Sequence, residues 1–207
     1  MIKKPIDINK WNRKEHFEFF KTFEDPSFAV CFAVDVSVAY AKAKDYKYSF
    51  FAMYLHACTK ALNTVENFRY RIEDDNVFDY SPIHASATIL RPDHTFGFSF
   101  IDYSEDIEKF HDNYLAEKDR IFSSPSLFPP KNGLDCFHCS ALPWINFTGH
   151  KEPFRAPGNS VPQIAFSKIK KRQKKMIMNI SISVNHALVD GYHVGQFAEK
   201  FQYYLNE

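Results

Sequence analysis

The segment His186-Ala187-Leu188-Val189-Asp190-Gly191 carries the residue types best suited to acid–base chemistry in this chain. It follows an alternating apolar run and precedes an amphipathic one, so His186 is expected at the end of a strand with one apolar wall. Such a wall favours a neutral imidazole, which can accept a proton. Asp190 can fix the turn through an Arg or a backbone donor, and Gly191 permits a backbone conformation that other residues resist. Taken alone, the segment favours a core histidine and a helix-capping aspartate over a catalytic site.

The other candidate for chemistry is Cys136-Phe137-His138-Cys139, whose spacing invites a metal or redox interpretation. A zinc site needs about four ligands, usually as two such pairs, and the sequence has no second pair. We therefore expect reduced structural thiols and no metal. A Gly-rich phosphate loop and a strand–Ser–helix nucleophile elbow are both missing from the sequence. These residue types favour base catalysis on a bound group, without a covalent protein nucleophile.

The elements around this segment are clear in the pattern. Residues 176–184 alternate between apolar and polar side chains, which predicts a strand with one buried face, and His186 continues the apolar parity. A helix is predicted from residue 191, with Val194, Phe197 and Phe201 on one face. Upstream, the range 168–175 holds six basic residues in eight. These fit a solvated turn between two strands, with an anion site as the alternative.

Helical and extended patterns are interspersed along the rest of the chain. Asn12 is a plausible N-cap for one helix and Ser49 for another. The predicted helices cover about residues 12–23, 50–62 and 105–120, and the predicted strands cover 28–36, 76–80, 86–90 and 96–103. With no repeat and no long linker, we expect an α/β fold in a single domain over 1–207, a two-layer sandwich in which helices cover a mixed β-sheet.

Composition excludes several classes of protein. There are 26 Lys and Arg against 25 Asp and Glu, a net charge of +1, so neither nucleic acid nor an anionic membrane is an expected partner. No apolar stretch is long enough for a membrane span, and the N-terminus lacks the features of a signal peptide, which predicts a cytoplasmic protein. Aromatic residues reach 17%, including 22 Phe and 11 Tyr. That ring area can fill a core and still line an apolar pocket or an interface.

Several motifs in register resemble the chloramphenicol acetyltransferases. The C-terminal signature is His186-Ala-Leu-Val-Asp190-Gly191-Tyr-His-Val. The resemblance covers essentially the whole chain. The other landmarks, in order, are Trp11 to Phe19, Phe68 to Ile72, Thr95-Phe96, Leu127 to Pro129, and Ser140 to Phe147.

This resemblance implies a reaction and roles for its residues. Family members transfer acetyl from the co-substrate acetyl-coenzyme A to the primary hydroxyl of chloramphenicol, which inactivates the antibiotic, and they hold no permanently bound cofactor. They are homotrimers with active sites between subunits. By matching, His186 is the general base and Ser140 donates to the oxyanion, while Arg13 and Asp190 form a structural ion pair. Phe19, Phe20, Phe96 and Phe98 line the acceptor pocket, and Trp144 and Lys168 lie along the coenzyme A path.

The chain also departs from the family pattern. Asn185 replaces the first histidine of the signature, and Ala165 replaces a threonine that helps to bind a water near the oxyanion. The segment from Thr148 to Phe154 lacks the stretch that shapes the drug pocket, and Ser49 and Phe51 replace polar residues near coenzyme A. Two alternatives follow. The same chemistry could act on another small apolar alcohol, or the protein could be a non-catalytic trimer that binds hydrophobic ligands.

Overall fold

The computed structural model describes residues 2–153 and 159–207, which form helices and two β-sheets. The helices are α1 (Lys14–Phe20), α2 (Ser37–Asp45), α3 (Phe50–Thr64), α4 (Ile107–Phe122) and α5 (Gly191–Asn206). The strands are β1 (Ile2–Pro5), β2 (Ser27–Asp35), β3 (Tyr70–Glu73), β4 (Asn76–Ser81), β5 (His84–Leu90), β6 (Phe96–Phe98), β7 (Cys136–Leu142), β8 (Gln163–Ser167), β9 (Lys170–Arg172) and β10 (Lys175–Asn185).

The main sheet has the strand order β2-β10-β8-β7-β5-β6, and β9 pairs with β10. The ladders β5–β7 and β7–β8 are parallel, whereas β2–β10, β10–β8 and β5–β6 are antiparallel. The predicted mixed sheet is therefore confirmed. A smaller antiparallel sheet, in the order β1-β4-β3, stands apart from it.

Helices pack on one face of the main sheet. The even-numbered apolar residues of β10 from Met178 to Val184 are buried in one cluster with residues of α3 and α5. Aromatic rings join the layers: Phe166 of β8 lies 4.8 Å from Tyr54 of α3 and 6.4 Å from Phe201 of α5. The period of two in the sequence correctly identified which side chains face the helices.

The opposite face of β10 is also covered, so the expectation of only one buried face was wrong. Ser181 and Asn185 are buried although they are polar. Residues within 147–150 and at 159 lie against this face, and side chains of the strand hold them by hydrogen bonds. Asn179 Nδ2 donates to the carbonyl of Phe147 at 2.7 Å, and Asn185 Nδ2 donates to that of Asn159 at 3.1 Å. Polar side chains occupy these positions because they satisfy the backbone of an irregular segment.

The helix ends test the capping predictions. Ser49 caps α3 as expected, since its hydroxyl accepts from the amide of Ala52. Asn12 was the wrong N-cap, because α1 begins at Lys14 and Arg13 takes the cap position without a side-chain cap bond.

The prediction that Gly191 adopts a backbone conformation that other residues resist was also wrong. It is the first residue of α5, its φ lies outside the left-handed region, and nothing lies within 4 Å of an added Cβ. Helix α2 was missed, and only Phe96–Phe98 of the predicted strand 96–103 is a strand.

Candidate active site

His186 lies immediately after β10 and is held against aromatic rings. Its amide donates to the carbonyl of Pro26 at 2.9 Å, which continues the pairing with the chain before β2. The imidazole stacks on Phe20 of α1 with 4.0 Å between ring centroids and 7° between planes, and Phe28 of β2 lies at 4.6 Å. The expected apolar wall is thus formed by residues from two other elements.

Nδ1 of His186 is buried, and no group in the described ranges hydrogen-bonds to it. The residue as a whole is half-buried. A neutral ring with its proton on Nδ1 presents a lone pair on Nε2, as a general base requires.

Arg13 and Asp190 form the expected ion pair beside this histidine. Arg13 Nη1 donates to Asp190 Oδ2 at 2.5 Å, and its Nη2 donates to the carbonyl of His186 at 3.3 Å. Arg13 is buried. One guanidinium therefore ties α1 both to the start of α5 and to the backbone of the histidine.

Asp190 is also the N-cap of α5, in a capping box with His193. Its Oδ1 accepts from the amides of Tyr192 and His193, and its own amide donates to His193 Nδ1 at 3.2 Å. Burial acts to raise the pKa of Asp190, but the hydrogen bond from Arg13 and the nearby His193 together hold that pKa below its usual value. Burial lowers the pKa of His193, which keeps Nδ1 free to accept. Asp190 is thus an ionised structural group.

Ser140 lies on β7, on the sheet face away from the helices. Its hydroxyl is 3.1 Å from that of Thr88 on β5. In the ladders Ser140 pairs with Ala165 of β8, which in turn pairs with Ser181 of β10. Ala165 is fully buried between these two serines. Ser140 therefore belongs to a row of small side chains across the sheet, and the Thr88 hydroxyl can orient it.

The phenylalanines assigned to an acceptor pocket divide into two groups. Phe19 and Phe20 belong to a histidine patch, completed by Phe23, Phe28 and His186. Its rings lie 4.0–5.3 Å from their neighbours, and the Phe19 side chain is 59% exposed. Phe96 and Phe98 belong instead to a serine patch, made of Thr88, Phe96, Phe98, Phe128 and Ser140. Phe98 pairs with Thr88 in the sheet and stacks on Phe128 at 5.6 Å.

The two patches are far apart within one chain. Ser181 is in register with Ser140 two strands away, about 10 Å across the sheet. His186 lies five residues further along β10, about 17 Å in the strand direction. General-base and oxyanion contacts both require hydrogen-bond distances to adjacent atoms of the reacting groups. His186 and Ser140 of the same chain therefore cannot act on one molecule.

A cleft of about 420 Å³ opens at the end of β7, starting one residue beyond Ser140. Lys168 lines it, as does Phe51, one of the two departures from the family near coenzyme A. Ser49 caps the helix that forms its wall. Trp144 is 65% exposed and follows the lining residue Pro143. The full lining is Phe50, Phe51, Tyr54, Ala141, Pro143, Ser167, Lys168, Ile169 and Met178.

The cysteines and the altered segment were also singled out in the sequence. Cys136 and Cys139 point to opposite faces of β7, into different apolar clusters, and burial raises the pKa of Cys136 to about 12. All four cysteines are unpaired. Among the described residues no cluster of His, Cys, Asp or Glu could hold a metal ion, and no helix is long and apolar enough to cross a membrane. Of the altered segment from Thr148, the carbonyl of His150 accepts from Ser181 Oγ of β10 at 3.3 Å, and Phe154 lies outside the described residues.

Sequence reasoning assigned no site role to Phe23, Phe28, Thr88 or Phe128, although Phe128 lies in one of the matched motifs. Phe28 was placed in a strand without a role, because nothing local shows that this strand runs beside the one ending at His186. Thr88 was likewise an unremarked residue of an extended segment. Its alternation with buried Ala87 and Ile89 was the available signal that it faces away from the core.

Comparison with known proteins identifies the family of this chain. The model of the chloramphenicol acetyltransferase family matches residues 1–202. The chain belongs to this family. "Chloramphenicol acetyltransferase 3" of Escherichia coli is 29% identical over 207 residues, covering 97% of this chain and 96% of that protein. A chloramphenicol acetyltransferase of Bacillus pumilus is 28% identical, covering 98% and 93%.

Solved structures agree on the fold. A chloramphenicol acetyltransferase structure superposes with a TM-score of 0.88 at 28% identity, covering 99% of this chain and 100% of that one. A probable dihydrolipoamide acetyltransferase from Listeria monocytogenes superposes with a TM-score of 0.69 over 92% of this chain and 88% of its own, at 15% identity. The second likeness concerns the fold alone. The α/β architecture is thus that of the chloramphenicol acetyltransferase family.

Proposed function

We propose that this protein transfers the acetyl group of acetyl-coenzyme A to the primary hydroxyl of chloramphenicol. Membership of the family over residues 1–202 carries the proposal. It is supported by the His186 imidazole, which is stacked on Phe20 beside the Arg13–Asp190 pair. Acetyl-coenzyme A is a co-substrate and no resident cofactor takes part.

The chemistry proceeds in two steps. His186 Nε2 takes the proton of the acceptor hydroxyl while the oxygen attacks the thioester carbonyl carbon. The oxyanion that forms accepts a hydrogen bond from the Ser140 hydroxyl, a type of contact worth about 3 kcal/mol. Collapse of the intermediate expels the coenzyme A thiolate, which takes the proton back from His186. Phe19, Phe20, Phe96 and Phe98 contact the acceptor, while Trp144 and Lys168 lie along the coenzyme A path.

The active site is built by two copies of the chain in a homotrimer. This assignment is supported by the separation of the two patches, because a histidine patch and a serine patch from different subunits can face one another. Each patch also exposes apolar rings that a neighbour would cover: Phe96 is 45% and Phe128 is 54% exposed. Closed cyclic symmetry places every histidine patch against a serine patch. The free thiols support a cytoplasmic location, and residues 1–207 act as a single domain.

The test is an acetylation assay. Purified protein with chloramphenicol, acetyl-coenzyme A and a thiol reagent should release thiol in proportion to enzyme. Release no faster than the background without chloramphenicol would remove the drug as acceptor.

A different small apolar alcohol is the second candidate acceptor, favoured by the altered 148–154 segment and by Ala165. Ala165 is buried beside Ser140, and an alanine supplies no hydroxyl near the proposed oxyanion. A panel of hydroxylated apolar compounds separates the two candidates, because this one requires a compound that is acetylated far faster than chloramphenicol.

A further inference from the structure

The residue before His186 organises the turn that follows it. The amide of Ala187 donates to Asn185 Oδ1 at 2.9 Å. The amides of Leu188 and Val189 donate to the main-chain carbonyl of Asn185 at 3.1 and 3.0 Å. Asn185 is itself buried, although it is polar. It thus accepts hydrogen bonds from the three successive amides that come directly after His186.

Of these three bonds, only the one from Ala187 depends on the side chain at position 185. The main-chain carbonyl remains after any substitution, but the Ala187 amide needs the side-chain oxygen as its acceptor. Ala187 is fully buried, so loss of that acceptor would leave its amide unsatisfied. The turn would adjust in response, and the His186 ring that stacks on Phe20 would move with it.

The other end of the Asn185 amide keeps its oxygen turned toward Ala187. Nδ2 donates to the carbonyl of Asn159 at 3.1 Å. Asn159 is held in turn, since its Oδ1 accepts from the amide of Val161 at 3.2 Å. A planar amide that donates on one side and accepts on the other cannot rotate without breaking both bonds. The side chain therefore fixes the turn from an anchored position.

We propose that Asn185 is a positioning residue for His186 and acts through the amide of Ala187. Its side chain holds the backbone on either side of the imidazole and needs no contact with a substrate. This deepens the proposed function and rests on it, because the alignment of His186 matters only if this residue takes a proton from the acceptor. Misplacement of a reacting group by about 1 Å can slow a reaction by about 100-fold.

The test is steady-state kinetics with chloramphenicol and acetyl-coenzyme A. Asn185→Ala should lower kcat by about 10- to 100-fold and leave the KM for acetyl-coenzyme A little changed. Asn185→Ser should keep kcat within about threefold of wild type, because a serine hydroxyl can accept from the amide two residues further along the chain. Circular dichroism and urea midpoints show whether each variant is folded.

Asn179→Ala is the matched control. Asn179 lies on the same face of β10, and its Nδ2 also donates to a main-chain carbonyl, that of Phe147 at 2.7 Å. The residue lies about 23 Å before His186 along the strand direction. Its substitution removes the same kind of bond without touching the turn, so kcat should stay within about twofold of wild type.

A double variant separates positioning from a general structural role. In a His186→Ala protein no base remains to be aligned, so adding Asn185→Ala should not lower the residual rate further. The same loss of rate in both backgrounds would make the role of Asn185 structural and would overturn the proposal.

Two further results would overturn the proposal. The first is an Asn185→Ala protein with a kcat close to that of wild type. The second is a folded Asn185→Ser protein that is slower than wild type by about 10-fold or more, whether or not Asn185→Ala folds. If wild type acetylates neither chloramphenicol nor any compound of the alcohol panel, the proposed function itself fails, and this is visible before any variant is compared.

Discussion

The proposed role of His186 as general base depends on neighbours that fix its ring. Phe20 and Phe28 pack against the imidazole, and its Nδ1 is buried. A preorganised base loses no free energy to reorientation when the acceptor binds. The single residue thus depends on α1 and β2 as much as on its own strand.

Replacing His186 with Ala should lower kcat by about 10²–10⁴-fold, the usual contribution of a general base. Steady-state kinetics with chloramphenicol and acetyl-coenzyme A measures the effect. His16→Ala removes an exposed histidine of α1 and serves as the control. A His186→Ala protein close to the wild-type rate would exclude the residue from proton transfer.

Thr88 should position the oxyanion donor. If the Ser140 hydroxyl gives its proton to the oxyanion, the 3.1 Å contact leaves Thr88 as donor to Ser140. Thr88→Val keeps the shape and removes the donor. We expect kcat to fall about 10-fold with KM little changed, because the contact matters mainly in the transition state. Thr88→Ser should restore the rate, and a Val variant that changes only KM would contradict this role.

At the scale of elements, one ion pair couples the first helix to the last. Arg13 precedes α1, Asp190 caps α5, and both hold the loop that carries His186. Since the Arg13 side chain is 9% and the Asp190 side chain 30% exposed, each charge needs its partner.

A double-mutant cycle tests this coupling. Arg13→Met and Asp190→Asn should each lower the free energy of unfolding by about 2–4 kcal/mol, since each leaves the other group unpaired. The double variant should be less destabilised than the sum by about 1–3 kcal/mol. Urea denaturation monitored by circular dichroism gives all four values. Strict additivity would show that the two side chains act independently.

At the scale of the whole molecule, the two patches predict complementation between inactive chains. When His186→Ala and Ser140→Ala proteins are refolded together in equal amounts, some interfaces receive an intact histidine patch and an intact serine patch. Random mixing of three subunits should restore about a quarter of wild-type activity. Each variant refolded alone is the control. Mixtures as inactive as their components would contradict a site shared between copies.

Buried histidines predict how stability depends on pH. Burial lowers the pKa of His56 and of His84 below the usual 6.5. The unfolded chain therefore binds more protons than the folded one when the pH falls below about 6.5, and the free energy of unfolding should decrease there. The depressed pKa of Asp190 acts separately, below its usual 3.8. Urea midpoints should be lower at about pH 5.5 than at about pH 7.5.

His84→Asn should flatten this pH dependence, because an asparagine side chain does not titrate. Its amide oxygen can still accept from the Tyr103 amide that His84 Nδ1 now binds. His16→Ala is the exposed control. Equal midpoints at the two pH values for wild type would contradict the prediction.

The sequence by itself determined the family, and it determined the strand and the helix on either side of His186. Alternation along 176–184 and the stripe after Gly191 are short-range patterns, so they identify a strand and a helix wherever these pack. The N-cap at Ser49 is equally local. The motifs matched in order because each depends on residues next to one another.

Only the tertiary structure decided which residues meet. It brought Phe28 to His186 and Thr88 to Ser140, covered the polar face of β10, and separated the histidine patch from the serine patch. These relations depend on strand order and register, which are determined by contacts between segments far apart in the chain. Local periodicity contains no such distances, so the separation of the two patches could not be read from it.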